Sequence, residues 1–315
     1  MNSLIASRGP LVIGLGGRGA EVVGRLGEIH YGSLVMDTDQ RTMESLKGTR
    51  RVLLGSGMLS GEGCGGNMNL GRKVISGYLK RIPGMISGAH PLINVFGAGG
   101  GTGIPFAVEL SGICRELSIP YLNFCLKSSD PGNSENKIAS ILLSGPLRPG
   151  CMVEAAGGSE KNDEPDETVK ALDIIARCFA PDARIPLPSS ILDKIREDAP
   201  LIELDSFTLS GEQPADPGKD VLLSALSLPG TQSNSETEEM IRGLGLEEND
   251  TPLGITISED KGNEPMVVVL RRDQGGEALH IGNGGPHINA DYIKALESEG
   301  FGIDPEGAMD LGKDL

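Results

Sequence analysis

No tryptophan occurs in the 315 residues, and four Tyr with six Phe hold the aromatic share to 3 %. Burial therefore rests on aliphatic side chains, which lift the hydrophobic share to 38 %, enough for the core of one large or two modest domains. No apolar run approaches the roughly 20 residues that a membrane span requires, and the first residues show no charged-then-apolar leader pattern. Basic residues are scarce beside acidic ones, 28 Lys and Arg against 44 Asp and Glu, for a formal charge of −16. Neutralising phosphates along a duplex takes clustered Lys and Arg, so a general nucleic-acid binder is excluded. The five cysteines are odd in number, contain no C-x-x-C and fall mostly inside apolar stretches. They read as reduced core residues, not a disulfide framework. Histidines 30, 90, 280 and 287 lack ligand spacing, which argues against a zinc-type site. A cytoplasmic location, in a prokaryotic cell or a phage-infected host, is the expectation.

Glycine is what the chain has in excess: 46 residues, 24 of them in the first 103. That part is also slightly basic, so the acidity lies in the remainder. A backbone-rich, mildly basic segment ahead of an acidic one points to an anion site near the N-terminus. Apolar runs of strand length at 11–13, 34–36, 52–54, 92–96, 121–126 and 152–153 alternate with helical spacing at 19–29, 70–82, 104–117 and 135–144. Alternation of this kind makes βαβ units, hence an α/β fold with a mostly parallel sheet that binds ligands at the carboxyl ends of its strands.

Beyond Glu164 a longer helical pattern runs to about Phe179 and is closed by Pro181, and a second helix can start at Ser189 or Ser190. Leu201–Leu209 reads as a strand, 210–219 and 229–237 as loops around short helices, and 253–257 with 266–270 as a β-hairpin. The second half is thus a smaller α+β unit. Past Gly285 come seven acidic residues against two Lys, with one helical stretch near 291–299. Such a tail has too little apolar content to fold alone.

Three glycine loops each run into a helix start. Gly14-Leu15-Gly16-Gly17-Arg18-Gly19 follows the first strand, and taken alone it fits the G-x-G-x-x-G dinucleotide pattern with Asp37 or Asp39 as the ribose acid. That keeps an NAD(P)-dependent oxidoreductase open as a second reading. A dehydrogenase of that type has no use for a further cradle after the fourth strand, and Gly97-Ala98-Gly99-Gly100-Gly101-Thr102-Gly103 is one. The third loop, Gly63 to Lys73, carries Gly65, Gly66 and Asn67. Backbone amides freed by glycine and aimed by helix N-termini suit phosphates. Three of them at one sheet edge imply a nucleoside triphosphate, and the absence of G-x-x-x-x-G-K-[ST] excludes a P-loop enzyme.

In this order the loops resemble those of the tubulin/FtsZ superfamily. Residues 97–103 resemble the GGGTG signature, Gly14–Gly19 the first nucleotide loop, Asp37-Thr38-Asp39 the second, and Gly63–Lys73 the loop that senses the γ-phosphate. The resemblance implies a Rossmann-like, parallel-sheet GTP-binding domain over 1–163, a central helix with its following loop over 164–188, a second α+β domain over 189–285 and an acidic tail over 286–315. It implies GTP or GDP with Mg²⁺, held through Gly14, Gly16, Gly17, Arg18, Gly19, Asp37, Asp39, Gly65, Gly66, Asn67, Gly97, Gly99, Gly100, Gly101, Thr102 and Gly103, with Arg72 and Lys73 at the rim. Glu21 stands where the family reads guanine with Asn; Glu154, Asp166 and Asp173 are looser base-reading candidates.

The same resemblance implies head-to-tail filaments of the chain itself, with a cargo or adaptor protein as a further partner. A regulator that binds nucleotide without polymerising is a third reading. The short second half and acidic tail look most like phage-encoded tubulins of the PhuZ type, with a divergent prokaryotic FtsZ-like protein close behind. The family's two catalytic acids are missing from Ala183–Ser190. Asp182 and Asp193, which flank that loop, are the expected substitutes, ahead of Asp205.

Overall fold

The structure, a computed structural model, describes residues 9–26, 31–128, 133–154, 167–198, 201–208, 220–230, 233–244, 251–258 and 264–273. The acidic tail, the helix expected near 291–299 and Asp166 lie outside these, as does the side chain of Glu154. Ten strands form one sheet in the order β3-β2-β1-β4-β5-β6-β7-β10-β8-β9. They are β1 (Gly9–Leu15), β2 (Gly32–Asp37), β3 (Arg51–Leu53), β4 (Ala89–Gly97), β5 (Tyr121–Lys127), β6 (Gly150–Glu154), β7 (Ile202–Thr208), β8 (Val221–Pro229), β9 (Leu253–Ser258) and β10 (Met266–Arg272). β1 to β7 are parallel neighbours, and β10 runs antiparallel to both β7 and β8.

The helices are α1 (Gly16–Gly24), the short α2 (Gln40–Ser45) and α3 (Ser56–Leu59), α4 (Met68–Ser76), the short α5 (Ile82–Ile86), α6 (Gly103–Glu116), α7 (Ser134–Leu143), α8 (Glu167–Cys178), α9 (Ile191–Asp198) and α10 (Asn234–Gly243). The expected α/β alternation is therefore present, and it closes both faces of the sheet. Side chains alternate across a strand. Val12 of β1 accordingly joins Val22, Val23 and Ile175 on one face, while Leu11, Ile13 and Leu15 join Val74, Phe106 and Leu142 on the other. All five cysteines are buried and unbridged, and burial pushes the Cys114 thiol up to about 12, which fits the reading as inert core residues.

Two local expectations fail. Residues 221–229 form strand β8, not a short helix, because Leu223 and Ala225 face α8 while Leu226 and Leu228 face a separate cluster under α10. The segments 253–258 and 266–272 do not form a hairpin. β9 pairs in parallel with β8 at the outer edge, and β10 lies between β7 and β8. Val268 and Leu270 join the cluster around α8, and Val267 and Val269 the one under α10. A strand buried on both faces belongs in the interior of a sheet.

α8 is the central helix. It packs against β1 and α1 on one side and β8, β9 and β10 on the other. A polar chain crosses it: Tyr31 donates to the Asp173 carboxylate at 2.8 Å, Asp173 lies 3.7 Å from Arg177, and Arg177 donates to the carbonyl of Ile257 in β9 at 2.5 Å. Between β6 and β7 the register holds only Cys151 with Ile202 and Met152 with Glu203.

Candidate functional site

The glycine loops leave the carboxyl ends of β1, β3 and β4, the topological place for a ligand in a parallel sheet. They pack on one another through backbone. A Cβ on Gly16 would stand 3.1 Å from the amide of Gly103, one on Gly101 would stand 2.6 Å from the amide of Asn67, and one on Gly71 would overlap the carbonyl oxygen of Gly101. Gly14 and Gly19 are forced in the same way, since α1 sits directly on β1 and on the carbonyl of Val95 in β4. By contrast a Cβ on Gly65 or Gly66 would meet nothing within 4 Å. Those two face open space, with φ of 53° and 80°, a region that glycine enters freely.

The second loop closes the group. Thr38 and Thr102 share a hydroxyl–hydroxyl bond of 2.9 Å, and Thr38 also donates to Cys64 Sγ at 3.4 Å. All three side chains are buried. The Thr102 hydroxyl, expected to face phosphate, is thus engaged in tying loop to loop. Asp39 accepts from the Arg41 amide at 2.8 Å, caps α2 and pairs with the Arg41 guanidinium at 3.0 Å. The hydrogen bonds from Arg41 hold its carboxyl below the usual range. Asn67 caps α4 by accepting from the Leu70 amide at 3.0 Å.

Asp37 differs. Its Oδ1 accepts from the Thr38 amide at 2.7 Å, while Oδ2 is buried without a partner. Burial outweighs the lowering effect of the Thr38 and Asp39 amides and the Thr42 hydroxyl and raises its pKa.

Capping separates the helices. α4, α7 and α10 each have a side-chain cap, from Asn67, Asn133 and Ser233. α1 and α6, which begin inside the glycine loops, have none, as is also true of the short α3 and α5. The first-turn amides of α1 and α6 are left for another acceptor at the positive ends of two helix dipoles. Arg18 is exposed, its Cβ and Cγ lying where a Gly97 side chain would be, so its side chain lies at the junction of the Gly14–Gly19 and Gly97–Gly103 loops.

Glu21 is exposed on α1, just after the first loop. Other expected residues are engaged elsewhere. Asp173 is held by Tyr31 and Arg177 within the cross-helix chain. Asp182 is exposed just past α8, and Asp193 pairs with Arg196 at 3.2 Å on α9, both at the far end of the sheet. Glu135 was not expected. Its carboxylate lies where a side chain on Gly99 would be, and its only sequence signal is its place in the first turn of α7, after the Asn133 cap.

The sequence profile of the Tubulin/FtsZ family, GTPase domain, matches residues 11–142. Cell division protein FtsZ 2 of Halobacterium salinarum is 24% identical over 282 residues, which cover 88% of this chain and 65% of that protein. This chain thus spans less than two-thirds of that relative's length. Among solved structures, an empty FtsZ dimer from M. jannaschii matches with a TM-score of 0.68 at 17% identity, covering 84% of this chain and 88% of that one. A GTPγS-bound protofilament of CetZ2 from Haloferax volcanii matches at 0.61 and 14% identity, covering 92% and 99%. The fold is that of tubulin and FtsZ along the described chain, and residues 11–142 are similar to the GTPase domain of the Tubulin/FtsZ family.

Proposed function

We propose that the chain binds GTP or GDP in the loop cradle and assembles head to tail, the nucleotide lying between successive copies. The observation that carries this is the pair of uncapped helix N-termini, α1 and α6, whose glycine loops touch each other. A polyphosphate supplies the acceptors that those amides lack, and Arg18 with Arg72 and Lys73 adds positive charge at the rim. Mg²⁺ enters this reading through the phosphate oxygens, and the buried Oδ2 of Asp37 is a protein oxygen left without a partner among the described residues. The empty FtsZ dimer and the CetZ2 protofilament support self-association. The likeness to archaeal FtsZ in sequence and structure favours an FtsZ-like over a phage-type relationship.

For hydrolysis, Asp182 and Asp193 are the proposed acids that polarise water in the neighbouring copy's site. Head-to-tail contacts join different surfaces and therefore propagate openly. GTP with Mg²⁺ is expected to produce sedimentable polymer and to raise the melting temperature, with phosphate released in parallel. Monomers at every salt and protein concentration refute the assembly. A melting shift with NADH in place of GTP refutes the nucleotide and restores the oxidoreductase reading.

A further inference from the structure

Much of the positive charge in the first half of the chain stands away from the cradle. Residues 46–50, 77–88, 115–120 and 144–149 lead into β3, β4, β5 and β6. In a parallel sheet such segments all lie at the amino ends of the strands, opposite the glycine loops. Together they carry six Lys or Arg and one acid, Glu116. In a chain of formal charge −16 this edge is a positive strip.

The strip is long and fixed. β3 and β6 are five strand spacings apart in the sheet order, about 24 Å at roughly 4.8 Å each. Lys47, Arg50, Lys80, Arg81 and Arg115 are exposed along it. Arg115 fastens two of the segments together, donating to the Pro146 carbonyl at 2.9 Å and to the Tyr121 hydroxyl at 3.0 Å, while that hydroxyl donates to the Arg148 carbonyl.

Two features of the strip call for a partner. The Nε of Arg148 is buried without a hydrogen-bond partner, and burial pushes the pKa of this guanidinium below the ordinary arginine value with no carboxylate among the described residues to offset it. Drawing a cation out of water without a counter-charge is costly. Leu117, in the turn between α6 and β5, is 46 % exposed, which makes it one of three exposed large hydrophobics among the described residues.

The layout selects the occupant. The charges stand on four separate segment tips, so a short acidic peptide reaches only some of them, whereas a plane of anionic groups reaches all. Beneath such a plane a bilayer offers an apolar layer, which suits Leu117. A nucleic-acid duplex offers phosphates without that layer.

We infer that the amino-end edge of the sheet is a peripheral docking surface for an anionic phospholipid bilayer, with Lys47, Lys80, Arg81, Arg115 and Arg148 at the headgroups and Leu117 inserted between them. This goes beyond the nucleotide reading and does not depend on it. On the head-to-tail reading the same edge faces a neighbouring copy, so it is open in the unassembled chain and at one end of a filament.

The test uses nucleotide-free protein, co-sedimented with vesicles of phosphatidylcholine alone or mixed with phosphatidylglycerol at rising salt. Wild type is expected to bind the mixed vesicles only, and less as salt screens the charges. Each Lys or Arg at an anionic surface strengthens binding about fivefold, so Lys80→Glu combined with Arg81→Glu should weaken it about 25-fold or more. Leu117→Ser should weaken it severalfold and leave the salt dependence unchanged. Arg242→Glu, exposed on α10 outside the strip, should bind as wild type does. Circular dichroism and melting curves matching wild type establish that the variants fold. No binding of wild type to mixed vesicles at low salt, equal binding to both vesicle types, or equal losses in Arg242→Glu and the double variant overturns the inference. So does capture of a polyglutamate peptide without binding to vesicles, which makes the edge a site for acidic protein. Each of these results leaves the nucleotide reading standing, since GTP is absent from the assay.

Discussion

Gly71→Ala tests whether the cradle is built by backbone contact. Gly71 is buried on α4, and its Cβ would fall well inside 3.0 Å of the Gly101 carbonyl oxygen and 3.2 Å from Pro105 Cγ. Gly101 has nowhere to go, because its own free side is filled by the Asn67 amide, 2.6 Å from where its Cβ would stand. α4 must therefore back away by about 1 Å, which thins the packing around Val74 and Ile75. Overpacking against rigid atoms costs about 1–3 kcal/mol, and partial loss of aliphatic packing adds on the order of 1 kcal/mol. The sum, about 3 kcal/mol, corresponds to a melting temperature lower by on the order of 5–10 °C. Displaced loop amides are expected to cost a further tenfold or more in GTP affinity. Differential scanning calorimetry with and without GTP reads both effects. Gly84→Ala is the control: it lies on α5 with nothing within 4 Å of a Cβ, and it should be neutral or stabilising by up to about 1 kcal/mol. If Gly71→Ala melts and binds like Gly84→Ala, the loops are not held together as described.

Asp37→Asn is expected to raise the melting temperature at pH 7. Burial raises the folded pKa of Asp37, so the folded state holds this proton more tightly than the unfolded chain, and ionisation weakens the fold. The penalty is complete above the folded pKa and absent below the unfolded value of about 3.9. The gain should therefore shrink as pH falls towards 4; a pH-independent gain, or a loss, contradicts the assignment. Tyr31→Phe removes the hydroxyl that donates to Asp173, at a cost of about 1 kcal/mol, because the carboxylate is partly exposed and can be rehydrated. Urea denaturation should show that loss with an unchanged slope.

Strands β1 to β6 and the three glycine loops were legible because each is a local pattern: an apolar run, then glycines, then a helix start. β8 was not, since the run from Val221 to Leu228 is short enough to suit either helix or strand, and its state is decided by α8 and α10 on its two faces. The expected hairpin failed for a related reason. Its turn-rich connection is compatible with a tight return, but the double-sided burial of Val267 to Leu270 outweighs that local preference. At the site, the sequence indicates which residues are glycine without indicating what each glycine admits. Thr102 turns to Thr38 and Glu135 settles on Gly99, two contacts between residues remote in sequence.

The two registered pairs between β6 and β7 have a mechanical meaning. Hydrogen-bond ladders run through the strands on either side of that line and nearly lapse across it. The union is carried instead by α8, whose side chains lie against β1 on one side and β8 to β10 on the other. The sheet is thus two ladders joined across a seam of two pairs and clasped by α8. Parting them there breaks two pairs, where parting β5 from β6 breaks five and β7 from β10 seven.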